Sequence, residues 1–293
     1  MDMVPESILE LIGNTPMLKV GKIYAKLEYL NPSGSLKDRM AYHMVKKAEK
    51  AGKLKPGMEI IEITTGNTGI AFALISSIKG YKFTAVMPEH MSIERRGIMM
   101  SFGAKLILTP KEEDVAGAIN KFNEIKKKNP QAWYPMQFEN PDNIESHFLT
   151  TGPEIIKQVG KVDVFVAGVG TGGSLMGVGK ALKKVNPDVK IIAVEPAESA
   201  VMSGGLPGQH GIQGIGEGFI PQLVDMNLVD EIVKIKTDDA IKMAKELCRK
   251  YGTSVGISSG ANYLAALKFA DKYKKVVTLF CDSGNRYLSI YNK

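Results

Sequence analysis

The chain has 293 residues, 44% hydrophobic and 24% charged, which is enough apolar material for one large or two ordinary domains and argues against disorder. The net charge of +7 comes from lysines mixed with acids, as at Lys46, Lys47, Glu49 and Lys50, and only one Trp is present, so a solvated surface fits better than a nucleic-acid stripe. Met1 to Thr15 lacks a signal-peptide pattern, no apolar run would span a bilayer, Cys248 and Cys281 form no disulfide framework, and His43, His90, His147 and His210 lack zinc-ligand spacing. The expectation is a cytoplasmic, metal-free protein with no membrane or nucleic-acid partner, whose positive excess draws small anions.

In chain order, strands are predicted at 23–29, 59–63, 83–87, 105–108, 162–167, 190–194, 231–235 and 276–280. Amphipathic helices lie between them. Residues 37–51 place Met40, Met44, Val45 and Ala48 on one face, and 237–251 opens with Thr-Asp-Asp and is followed by Gly252. Strand–helix alternation predicts an α/β protein with parallel sheets covered on both faces. The Asn-, Asp- and Pro-rich segment 137–143 reads as a junction between two such blocks. Two open-sheet α/β domains are expected, a smaller mobile one at 38–140 and a larger cofactor-binding one at 1–37 plus 141–293, with the active site in the cleft between them.

Glycine-rich turns that end strands and open helices present backbone N–H groups to anions. The first, Asn31-Pro-Ser-Gly-Ser-Leu-Lys37-Asp38-Arg39, puts Lys37 in a helix's first turn, where the positive helix end favours the neutral, nucleophilic amine; taken alone, an ordinary surface lysine beside Asp38 is the better reading. The second, Thr64-Thr-Gly-Asn-Thr-Gly69, crowds hydroxyls and an amide at a helix start and suits a carboxylate or ring hydroxyl, or a plain helix cap. The third, Gly168-Val-Gly-Thr-Gly-Gly-Ser174, is a phosphate cradle that also matches G-x-G-x-x-G, with Glu195 ending the next strand where a ribose-binding acid would stand. A nicotinamide-dependent oxidoreductase therefore competes at this point; a P-loop does not, because Lys180 lacks the required glycine spacing. A fourth turn, Gly256-Ile-Ser-Ser-Gly260, also precedes a helix.

Taken together, these motifs resemble the cysteine synthase and cystathionine β-synthase family of fold type II pyridoxal-phosphate enzymes. The resemblance covers nearly the whole chain. It runs from Ile12-Gly-Asn-Thr-Pro16 through 31–39, 64–69, Met91-Ser-Ile-Glu-Arg-Arg96, 137–143, Thr150-Thr-Gly-Pro-Glu154, 168–174, 213–219 and 256–261 to Arg286-Tyr-Leu-Ser289. It implies that Lys37 carries pyridoxal 5'-phosphate as a Schiff base and moves the α-proton. It implies that Asn67 meets the cofactor's 3′-oxygen, that Gly170, Thr171, Gly172, Gly173 and Ser174 hold its phosphate, and that Ser258 faces the ring nitrogen. Thr64, Thr65, Gly66, Thr68 and Gln137 would hold the substrate carboxylate, with Gly214 and Glu217 also on the substrate side. Thr65 stands where the family usually has serine.

The implied reaction is β-replacement on O-acetylserine or a related serine derivative with sulfide, giving L-cysteine, in a homodimer. Replacement or elimination on serine or cysteine is the alternative, and the nicotinamide enzyme is the more distant one. Glu217 departs from the small residue that many cysteine synthases carry, and a carboxylate there could assist a hydroxyl or thiol leaving group, or activate water. A solvated loop acid reads equally well. The chain stops four residues after Ser289, so no regulatory module and no haem segment is expected.

Overall fold

Strand and helix boundaries follow from where apolar spacing switches between periods of two and 3.6. The structure is a computed structural model that describes residues 4–64 and 66–291. In chain order it runs β1 (Met17–Val20), β2 (Ile23–Leu27), α1 (Lys37–Lys50), β3 (Glu59–Ile63), α2 (Asn67–Lys79), β4 (Lys82–Pro88), α3 (Ile93–Ser101) and β5 (Lys105–Thr109). It continues through α4 (Asp114–Lys128), α5 (Asp142–Leu149), α6 (Thr151–Val159), β6 (Val164–Gly168), α7 (Gly173–Val185) and β7 (Lys190–Pro196). The last elements are β8 (Glu231–Ile235), α8 (Thr237–Tyr251), α9 (Ile257–Leu267), β9 (Val276–Phe280) and α10 (Leu288–Tyr291).

One sheet has the order β3-β4-β5 and the other β1-β2-β9-β6-β7-β8. The β1–β2 pair is antiparallel and the other pairs are parallel. Parallel strands covered on both faces must be apolar at odd and even positions alike. In the larger sheet, Val164, Val166, Ile192 and Val194 face a core shared with α8 and α9. Phe165, Ala167, Ile191, Ala193 and Leu279 face a second core shared with α6 and α7. In the smaller sheet, Ile60, Phe83, Ala85 and Met87 pack on Met40 and Met44 of α1 and on Phe72 of α2, while Ile61 and Val86 meet Ala118 and Phe122 of α4. Each large apolar side chain so buried contributes on the order of 1.5–3 kcal/mol.

The predicted strands at 59–63, 231–235 and 276–280 are the observed ones, as is the helix at 237–251, which ends on Gly252 in the left-handed region. Two sequence expectations need correction. The strand expected at 23–29 stops at Leu27, because Glu28–Leu30 form a 3-10 turn that buries the Glu28 carboxylate against Arg39. β1 was not expected at all: Met-Leu-Lys-Val is a short edge strand with two of its four residues exposed, and it carries no apolar run. Among the described residues no helix is long and apolar enough to cross a membrane.

The site is positioned by β6 and β9. From β6 the chain winds through α7 to β7 and β8 on one side, then returns to β9 on the other. Strand order reverses there, the place where open α/β sheets bind ligands beyond the carboxyl ends of their strands. β6 delivers the 168–174 turn to that place and β9 delivers Cys281 and Asp282.

Candidate active site

Lys37 is the first residue of α1. Its loop is held by the chain leaving β9: Leu36 N donates to Cys281 O (2.9 Å) and Ser283 N donates to Gly34 O (3.1 Å). Gly34 has φ +86°, and Arg286 lies against it, so a side chain there would be strained and crowded. Asp38 is fully buried and accepts from Ser33 N (2.6 Å) and from the Ser33 hydroxyl, and burial raises its pKa to about 6. An ordinary surface lysine beside an exposed aspartate is therefore not what the loop contains. Lys37 remains partly accessible from the cleft, yet protein crowds around its amine and lowers its pKa; Cys281, Glu217 and Asp282 oppose that shift in this order. Burial, more than the helix end, favours the neutral amine.

The turn after β3 is built on Thr64, whose Oγ1 accepts from Gly66 N (3.3 Å) and Gly69 N (3.2 Å) and so caps α2. Thr65 lies outside the described residues. Thr68 Oγ1 donates to Gln137 Oε1 (2.6 Å), and Gln137 Nε2 donates to Ile63 O (3.2 Å), so the loop and the junction glutamine form one unit. Beneath them Glu62 is buried, accepting from Gln137 N (3.2 Å) and Ile63 N (3.0 Å), beside Met136 at φ +56°. Burial raises the Glu62 pKa to about 8, offset in part by those backbone donors. The Asn67 amide engages the far side of the cleft: Nδ2 donates to Asp282 Oδ2 (2.7 Å), and Oδ1 accepts from Arg286 Nη1.

The 168–174 turn has no room for side chains at its glycines. A Cβ at Gly170 would lie 2.4 Å from Gly214 O, and one at Gly173 would lie 1.9 Å from Asn143 Oδ1. Asn143 bridges this turn to the junction, donating to Thr171 Oγ1 and to Gln137 O, both at 2.9 Å. The first turn of α7 begins at Gly173 and Ser174 and leaves N–H groups without intrahelical acceptors. Gly214, at φ +92°, sits in open space. Glu217 is solvent-accessible through the cleft, with its Oε1 3.9 Å from the Cβ position of Gly170. The surrounding protein raises its pKa, and Lys37 and His210 oppose the rise. Ser258 is buried in the first turn of α9, beside the Cys281 thiol. Glu195 is occupied elsewhere: its carboxylate accepts from Met202 N (2.8 Å) and from Ser203 N (3.2 Å).

These loops fit a phosphorylated aldehyde cofactor. A lysine whose pKa is lowered by burial would supply the covalent anchor, a helix start without room for side chains would supply the phosphate cradle, and a buried hydroxyl would supply an uncharged ring partner. The sequence reading missed Glu62, Arg95, Asn143, Asp282 and Tyr287 as parts of the site. Arg95 of α3 donates to Gln213 Oε1 and to Tyr287 OH, and Tyr287 OH donates to Asp282 Oδ2 (2.7 Å), tying the α3 layer to the chain's last turn. The available signals were an acid between apolar residues of a strand, for Glu62, and an acid two residues past the end of one, for Asp282.

A family model described as pyridoxal-phosphate dependent enzyme matches residues 8–282. A cysteine synthase of Staphylococcus aureus is 48% identical over 297 residues, covering 97% of this chain and 96% of that protein. The crystal structure of a cysteine synthase from Entamoeba histolytica superposes with a TM-score of 0.94 at 45% identity, over 99% of this chain and 90% of that one. A hydrogen sulfide-producing enzyme from Fusobacterium nucleatum superposes equally well, with a TM-score of 0.94 at 42% identity, over 98% of this chain and 99% of that one. With the matched segment reaching from before Lys37 to Asp282, the chain belongs to the family of pyridoxal-phosphate-dependent enzymes.

Proposed function

We propose that this enzyme catalyses β-replacement on O-acetylserine or a closely related serine derivative with sulfide, giving L-cysteine. The observation that carries the reading is the linkage of these loops: the Lys37 amine has a lowered pKa and feels Cys281, Glu217 and Asp282, Arg286 ties the Lys37 loop to Asn67, and Asn143 ties Gln137 to the 168–174 turn. The cofactor, when bound, supplies an electron sink for charge developing at the substrate Cα. Lys37 anchors it through Nζ and then takes the Cα proton as general base. The N–H groups of Gly170, Thr171, Gly172, Gly173 and Ser174 hold the phosphate, Asn67 meets the ring oxygen, and Ser258 faces the ring nitrogen without fixing a proton there. Thr64, Thr65, Gly66, Thr68 and Gln137 bind the substrate carboxylate, and Gly214 leaves space at the substrate side chain. Residues 38–140 close over the bound amino acid and exclude water. The test is turnover of O-acetylserine with sulfide in wild type and Lys37→Ala. Loss of both activity and borohydride-sensitive visible absorption in the variant is expected; a variant retaining both sinks the assignment.

Glu217 favours a second reading, β-replacement on serine or cysteine. Its carboxylate opens to the same cleft as Lys37, and its raised pKa suits a group that protonates a departing hydroxyl or thiol or takes a proton from water. Rates with O-acetylserine, serine and cysteine in wild type and Glu217→Ala test it, and unchanged relative rates reject it. Supported only by the sequence resemblance, a cytoplasmic homodimer is also expected; sedimentation equilibrium reads the oligomeric state. A nicotinamide-dependent oxidoreductase would account for the 168–174 turn but leaves Lys37, Asn67 and Ser258 without a role.

A further inference from the structure

The Arg286-Tyr-Leu-Ser289 motif has no part in the reaction as described, yet its first two side chains are buried at the centre of the site. A primary amide presents a carbonyl on one side and an NH2 on the other, and a half-turn about its last bond exchanges them. In Asn67 both sides are committed: Oδ1 accepts from Arg286 Nη1, and Nδ2 donates to Asp282 Oδ2 at 2.7 Å. A flipped amide would set NH2 against guanidinium and carbonyl against carboxylate, so one orientation survives. In that orientation Nδ2 keeps a second N–H. Asp282 is fixed in turn by Tyr287 OH (2.7 Å), with Arg95 Nη2 at 3.9 Å. Arg286 donates its other nitrogen, Nη2, to Ser33 O in the loop that carries Lys37, and Ser35 and Asp282 form an isolated β-bridge.

We propose that Arg286 and Asp282 are positioning residues that lock the Asn67 amide with its N–H side toward the cofactor's ring oxygen, and that Arg286 couples this lock to the Lys37 loop. The proposal rests on the reading of Asn67 as the partner of that oxygen. Without the lock, the amide turns its carbonyl toward an anionic oxygen and repels it.

The experiment titrates apoenzyme with pyridoxal phosphate and records the resting visible absorption band against pH for wild type, Asn67→Ala, Arg286→Lys, Asp282→Asn, Asp282→Ala and the Asn67→Ala/Arg286→Lys double variant. Urea midpoints of the apo forms report any loss of fold. Asn67→Ala and Arg286→Lys should each weaken cofactor binding about tenfold, the effect of one charge-assisted hydrogen bond, and shift the band in the same direction. The double variant should be no worse than Asn67→Ala, because both act through one contact. Asp282→Asn, whose carbonyl still accepts from Nδ2, should fall between wild type and Asp282→Ala, and this pair reads the proposal if Arg286→Lys fails to fold. If Asn67→Ala shifts binding and band but Arg286→Lys shifts neither, or if the losses add in the double variant, the proposal is overturned and the role of Asn67 stands. If Asn67→Ala itself shifts neither, both fall.

Discussion

Glu62 shows how much a single residue's meaning depends on placement. In sequence it is one acid in Glu-Ile-Ile-Glu-Ile; in the fold it is a buried carboxylate under the turn that presents Gln137. Its pKa rises from 4.5 unfolded to about 8 folded, so folding favours the protonated form. The stability this contributes is complete below the unfolded value and is lost as pH rises through about 8. Urea unfolding at pH 6 and pH 9 should show wild type losing stability across that window, whereas Glu62→Gln, which stays neutral, loses less. Equal losses would mean that Glu62 does not titrate there. The roles proposed for Lys37, Asn67 and Ser258 came from the family resemblance, which the sequence carries because each lies in a glycine-bearing motif at a helix start. The roles of Arg95, Asp282 and Arg286 were not legible, because their partners are set by contacts with distant residues; Arg286 meets Asn67 across 219 positions of sequence.

At the scale of elements, the apolar strands were readable because two-sided burial makes them continuous: β9 is Val-Val-Thr-Leu-Phe with every residue buried. β1 escaped because an edge strand needs only one partner and one covered face. The turn from β6 into α7 makes the sharpest prediction. Gly173→Ala would push a methyl into the Asn143 amide, the same group that holds Thr171 and the Gln137 carbonyl. We expect a loss of about 1–3 kcal/mol from overpacking, together with weaker cofactor binding. Thermal unfolding of the apo form and a cofactor titration separate the two. A buried ion network anchors α1 from its other side: Arg39 pairs with Glu28 (2.7 Å) and Glu154 (2.6 Å), and Lys26 pairs with Glu154 (2.7 Å). Arg39→Met should cost about 3–5 kcal/mol in urea unfolding, because it takes the paired cation from Glu28, which the fold has desolvated, while Glu154 keeps Lys26.

Across the whole molecule, polar contacts join the layers of the two sheets beside the apolar packing of Leu9: Asn67 and Arg95 from α2 and α3 reach Asp282, Tyr287 and Gln213. Polar joints of this kind suit a layer that opens and closes more than a fused core does. If residues 38–140 close over substrate, amide exchange in α2 and α3 should slow when a substrate amino acid binds, while β6 and β9 stay unchanged. Equal protection with and without ligand would argue for a rigid cleft.

The pairing of β2 with β9, and of the Lys37 loop with the turn after β9, also sets an order of events during synthesis. Lys37 leaves the ribosome more than two hundred residues before the strand beside it, Val276–Phe280, and before Arg286. Until then β2 has an open edge on that side, and the nascent chain lacks a finished place for the cofactor. A nascent chain stalled before Val276 should therefore keep no visible absorption once free pyridoxal phosphate is removed, and should rely on chaperones to cover that edge.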